Sequence, residues 1–184
     1  MYIPEPYFEN VPEIGDLYID YIFLEYEYPI LFTCKNDADL FLCLCYDNYK
    51  EQKWYLVSIS DQVLNDFIHG KISYYNVFKQ NNLLGCSIKW SPSVNKESYC
   101  LLNALDFEDE DLPNKSVFFD LEDVDEDVET YLQSIKGKYM FKKYYCKENK
   151  SSFKNSNFFN YNVNLELIIK ILSNQKNIAF KKAV

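Results

Sequence analysis

Residues 40–46 read LFLCLCY, and a β-strand made of them has no wet face. Successive side chains of a strand point to opposite sides, so Leu40, Leu42 and Leu44 point one way and Phe41, Cys43 and Cys45 the other. A sheet with one solvated side would place a polar residue at every second position. Both sides of this one must therefore be covered, by helices of the same chain or by a partner. The neighbouring segments are strands too. DLYIDYIFLEYEY, from residue 16, alternates Leu17, Ile19, Tyr21 and Phe23 against Tyr18, Asp20, Ile22 and Leu24. Pro29 opens PILFTC, NDAD supplies a turn, and KWYLVSIS follows DNYKEQ as a fourth strand. Connections this short imply an antiparallel meander.

Beyond it the period changes. SDQVLNDFIHG starts on a Ser60 or Asp61 cap, places Val63, Leu64, Phe67 and Ile68 on one helical face, and stops at Gly70. ISYYNVFKQ is a second short helix with Ile72, Tyr75 and Phe78 as its apolar side. LLGCSIKW and SYCLLNALDF are strands separated by SPSVNKE, and SVFFDL is a candidate strand. DVDEDVETYLQSIKG is a helix: acids fill its first turn, Val128, Tyr131, Leu132 and Ile135 form a stripe, and Lys136 precedes Gly137. KYMFKKYYC reads as a strand, residues 147–162 as a mobile Asn-, Ser- and Lys-rich loop, and 163–172 fits strand and helix equally. The expected fold is α+β, a mainly antiparallel sheet with a few short helices packed on it. The 184 residues form one domain: sheet and helices over 16–105, an acidic segment at 106–129 and a lysine-rich part at 130–184.

Charge is distributed unevenly along this plan. Residues 1–105 hold 14 acids and 7 lysines, residues 106–129 twelve acids and one lysine, and residues 130–184 two acids and 11 lysines. The three parts carry −7, −11 and +9 within a total of −9. Folding the lysine-rich end back on the acidic segment would relieve both. Exposed pairs contribute only about 0–1 kcal/mol each, so stability does not require so many. Surplus carboxylates are left for solubility or for a basic partner.

Several chemistries lack their residues. All 19 basic residues are lysine, so no guanidinium fork exists to read guanine or clamp phosphate, and direct nucleic-acid binding is not expected. Only four glycines are present, and no P-loop, dinucleotide fingerprint, G-x-S-x-G or H-E-x-x-H occurs. A calcium loop opening at Asp123 would use Asp125 and Asp127, but its sixth position is Val128 rather than glycine and its twelfth is Ser134 rather than glutamate. Capping of the following helix explains these acids better. Cys43-x-Cys45 lies in an apolar strand, without a second pair at zinc spacing. His69, the one histidine, falls at a helix C-terminus, where a cation is favourable. No metal, cofactor or catalytic group is expected. MYIPEPYFENVPEIGD lacks the pattern of an export signal and no apolar stretch is long enough to span a bilayer, so the reading is cytoplasmic, with reduced buried thiols and no membrane partner.

The acidic-aromatic strand before YPILF, the LFLCLC strand and the helix leading into GKIS resemble a bacterial domain family of unknown function, over residues 16–78. The resemblance implies a bacterial or phage origin and an α+β fold, with no catalytic residues to transfer.

The expected function is non-enzymatic: an inhibitor, of the toxin-immunity or phage anti-defence type, that occludes a basic surface on another protein and so mimics DNA in part. Its expected surface is Asp106, Phe107, Glu108, Asp109, Glu110, Asp111, Phe118, Phe119, Asp120, Glu122, Asp123, Asp125, Glu126 and Asp127, with carboxylates steering and the phenylalanines anchoring. Neutralising Asp109, Glu110, Asp111, Asp123, Asp125 and Asp127 should then leave the fold intact. The alternative is a structural or regulatory subunit that homo-oligomerises through the apolar sheet face.

Overall fold

The computed structural model of the chain describes residues 5–47, 52–79, 84–91, 96–103 and 107–140. Seven strands form one antiparallel sheet in sequence order: β1 (Phe8–Val11), β2 (Gly15–Tyr26), β3 (Tyr28–Lys35), β4 (Leu40–Asp47), β5 (Gln52–Ile59), β6 (Leu84–Ser91) and β7 (Lys96–Asn103). Helices α1 (Asp61–Ile68) and α2 (Tyr74–Phe78) interrupt the meander between β5 and β6, and α3 (Glu126–Ile135) follows it. The expected meander is therefore present, with β1 added to it from a stretch in which no strand was expected. The sheet-rich class holds, with only three short α-helices among the described residues.

Local chemistry explains the joints. Between β3 and β4, the Asn36 side chain accepts from the backbone N–H groups of Ala38 and Asp39, an Asx turn that reverses the chain within the expected NDAD. Between β2 and β3, Glu27 alone turns the corner, with a positive φ of 57°. The strict alternation expected along β2 fails. Register shifts between Ile19 and Tyr21 and between Ile22 and Leu24 rotate the strand, so that the adjacent Phe23 and Leu24 are both buried.

Cross-strand register sorts the side chains into two faces. Phe32, Cys43, Leu56 and Cys86 lie in one row, and Leu31, Leu44, Tyr55 and Ser87 lie in a row on the opposite face. The first face is the concave one. The sheet curls until the Tyr99 hydroxyl of β7 donates to the Glu9 carbonyl of β1, 2.7 Å away. Phe8 of β1 then meets Trp54 edge-on, with ring centroids 5.4 Å apart, and Phe32 at 6.3 Å; Tyr7 meets Phe32 at 5.3 Å. Curvature and β1 thus cover one apolar face. Cys34, Cys43, Cys45 and Cys86 are buried free thiols, and burial pushes the Cys45 thiol up to about 12 and Cys43 up as well. Thiolates are the nucleophilic form, so these groups are inert packing.

The convex face is covered by the helices and by the acidic segment. Ser60 caps α1 by accepting from Val63 N, and Leu64, Phe67 and Ile68 are buried on the expected side, with Val63 half-buried. Gly70, with a φ of 66°, lets the chain leave α1 as expected. In α2 the buried residues are Tyr74, Val77 and Phe78. The expected face of Ile72, Tyr75 and Phe78 is therefore corrected: Ser73 caps the helix and shifts its first turn, leaving Tyr75 half-buried. The expected stripe of α3 is buried in full. SVFFDL is not a strand: Val117 O accepts from Tyr74 N, and a 3-10 turn at Leu121–Asp123 follows, so no strand edge is paired. The strand expected from Lys138 onward lies, after Met140, outside the described residues, as do the expected loop at 147–162 and the ambiguous element at 163–172.

Candidate partner-binding surface

The segment at 107–125 is a packed strap across the convex face. Phe107, 1% exposed, stacks on Tyr55 of β5 with centroids 4.0 Å apart, and Tyr55 stacks on Tyr46 of β4 at the same spacing. The Lys79 ammonium holds the Phe107 carbonyl and also pairs with Asp109 at 2.8 Å. Farther along, Phe119 is 3% exposed and meets Phe23 of β2 and Phe67 of α1 edge-on at 6.1 and 5.9 Å. Phe107 and Phe119, expected as anchors for a partner, are core residues that hold the strap down. Sequence patterning marks them as apolar but does not say which way a non-strand backbone turns them.

The carboxylates divide by job. Asp109 accepts from Lys79 and from the Tyr75 hydroxyl at 2.9 Å, and these contacts hold it below the ordinary aspartate value. Asp111 accepts from the Tyr55 hydroxyl at 2.7 Å, yet burial raises its carboxyl above the ordinary value. Asp120 caps the 3-10 turn by accepting from Glu122 N at 3.0 Å. Asp123 is buried at 8% exposure, and Glu122 is exposed but not free of contacts. Asp125 caps α3 by accepting from Val128 N at 3.0 Å, as the capping explanation expected of this one acid, and Asp127 lies in the first turn of the helix. Glu108, Glu110, Glu126 and Asp127 are exposed and make no side-chain hydrogen bond or ion pair among the described residues. Asp106 lies outside the described residues. Four of the six acids expected to be dispensable for folding thus have internal contacts or burial: Asp109, Asp111, Asp123 and Asp125.

Two apolar side chains stand out from the strap. Phe118, expected on the surface, is 45% exposed, and Leu121, which the sequence did not single out, is 59% exposed. The 3-10 turn opening at Leu121 takes it off the buried side that Phe119 occupies, and strand periodicity would have placed the two together. Leu121 lies over Gly70: a Cβ there would sit 3.7–3.8 Å from its side chain.

α3 fixes the far end of the strap to the sheet. Tyr131 stacks on Tyr21 at 4.4 Å and donates its hydroxyl to Asp20, 2.8 Å away. Its single proton is thereby used, so the Thr33 hydroxyl is the donor in the 2.8 Å contact between them. Lys35 pairs with the other oxygen of Asp20. Tyr131→Phe is expected to cost about 1–3 kcal/mol, because it removes both short bonds and leaves the Thr33 hydroxyl only its 3.4 Å contact with the Tyr21 carbonyl and Asp20 only its Lys35 pair. Urea unfolding measures this, and a loss below about 0.3 kcal/mol would mean that solvent already serves both groups.

No three His, Cys, Asp or Glu side chains among the described residues converge to hold a metal ion, and no helix there is long and apolar enough to cross a membrane. No protein-family model, curated protein or solved structure matches the chain.

Proposed function

We propose that this chain is a non-enzymatic interaction protein that occludes a basic surface on a partner protein. The carrying observation is the division of the strap: inward or capping carboxylates are engaged, while Glu108, Glu110, Glu126 and Asp127 face water. An unpaired run of like charge raises association rates with a cationic surface and adds little to folding. Phe118 and Leu121 supply the apolar contact that fixes a steered encounter, since a few desolvated anchors carry most of the energy of an interface. Mechanistically this is steric block, suited to a partner whose basic site binds nucleic acid. A bacterial or phage inhibitor, cytoplasmic and acting on a toxin or defence protein, is the setting that fits the chain best.

The alternative, a subunit that assembles with copies of itself through the apolar sheet, draws less support. Leu40, Leu42 and Leu44 on one side, and Phe41, Cys43 and Cys45 on the other, are already buried within the chain. Light scattering on the purified protein separates the two, with a monomer expected. Affinity purification from the native host followed by mass spectrometry tests the proposal: a basic protein is the expected catch, lost on Phe118→Ser with Leu121→Ser. Capture indifferent to that double change would reject these anchors.

A further inference from the structure

Two helices that carry and flank the strap are tied at both ends. At one end Asp61, the first residue of α1, accepts from the Gly137 backbone N–H just beyond α3 and donates its own N–H to Tyr139 O. At the other end His69, the C-cap of α1, reaches Glu129 in the early turns of α3. Its ring is held on both sides: Nδ1 lies 2.8 Å from the Asn65 carbonyl and Nε2 lies 2.8 Å from Glu129 Oε1. Both of these partners are acceptors only. A neutral imidazole carries one N–H and can serve one of them, leaving a lone pair facing the other. Only the imidazolium completes both bonds.

We infer that His69 and Glu129 form a proton-operated latch that fixes the first turns of α3, and with them the acidic surface, onto α1. Groups facing the imidazole are Glu129 from α3 and, on its own side, Asp66 in α1 and Lys71 in the turn that follows. Lys71 is itself paired with Asp66 at 2.9 Å, which blunts its repulsion. The Asn65 carbonyl, and after it Glu129, hold the imidazole above its ordinary value, against burial and Lys71. With the folded value raised, the latch is fully closed below the unfolded value of about 6.5 and loosens as pH rises through the folded one. The latch would regulate the surface described under Proposed function, but its existence does not depend on that reading.

His69 is the single histidine, so its ring-proton resonance can be titrated in the full-length chain without ambiguity. Amide exchange at Val128 and Glu129, corrected for intrinsic rates, reports the helix itself. Between about pH 6 and pH 8 protection in the natural chain is expected to fall about 1.5- to fivefold, the range of an exposed charged pair. In His69→Gln it should be flat across that range. In Glu129→Gln the ring should titrate at lower pH than in the natural chain. That second variant keeps the test alive should the first misfold. Equal pH dependence with and without His69, or an unchanged ring titration in Glu129→Gln, would overturn the latch. Loss of partner capture with the latch intact would count against the functional reading alone.

Discussion

Phe107→Ala is expected to lower the unfolding free energy by about 3–5 kcal/mol, the usual cost of emptying a fully buried phenylalanine site. The residue lies in a stack of three rings, Tyr46, Tyr55 and Phe107, and its own carbonyl is bound by Lys79. Removing the ring leaves Tyr55 without a cover and frees the start of the strap, so Asp109 and Asp111 lose the geometry of their bonds to Tyr75 and Tyr55. Domains of this kind are stable by about 5–15 kcal/mol, so the variant should remain folded but melt well below the natural protein. Denaturant unfolding read by tyrosine and tryptophan fluorescence measures the loss. A change under about 1 kcal/mol would mean that the acidic segment does not pack on the sheet and is a solvated loop.

An effect of the same size, about 3–5 kcal/mol, is expected from Phe8→Ala on the opposite face. Phe8 is fully buried between Phe32 of β3 and Trp54 of β5, and it belongs to the strand that closes the curl of the sheet. Its loss opens a cavity against Trp54, whose buried indole N–H has no partner among the described residues, and water admitted there should shift the tryptophan emission to the red. The two rings lie on opposite faces of one sheet and pack on different partners, Phe32 and Trp54 for Phe8 and Tyr55 for Phe107, so their costs should add. If Phe8→Ala were nearly neutral, the concave face would not be closed by this chain, and the case for self-assembly through the sheet would return.

The reasons for what the sequence did and did not disclose are physical. The apolar doubling in LFLCLCY required cover on both faces, and both covers exist. Strands, turn and caps at Asn36, Ser60 and Asp125 were legible because their signals are local: side-chain period, a capping oxygen, a glycine after a helix. What escaped is non-local. The bulges in β2 depend on pairing with β3, and β1 becomes a strand because Phe8 finds a cavity lined by residues more than twenty positions away. Over 107–125 the net charge was plain, but a count of carboxylates does not say which are turned inward. Asp111 meets Tyr55 across 56 residues, and Glu129 meets His69 across 60. The same limit applied to the phenylalanines: of Phe107, Phe118 and Phe119, only Phe118 faces water.

The most direct test of the account is the association rate of the captured partner with a chain carrying Glu108→Gln, Glu110→Gln, Glu126→Gln and Asp127→Asn. None of these four side chains makes a hydrogen bond or ion pair among the described residues, and Glu126 and Asp127 support the fold only through the dipole of α3, so the unfolding free energy should fall by no more than about 1–2 kcal/mol and the variant should stay folded. The association rate should fall about tenfold at low salt, with a shallower dependence on ionic strength and little change in dissociation. An association rate and salt slope equal to those of the natural chain, in a folded variant, would contradict the claim that the outward face of the strap is there to meet a cationic surface.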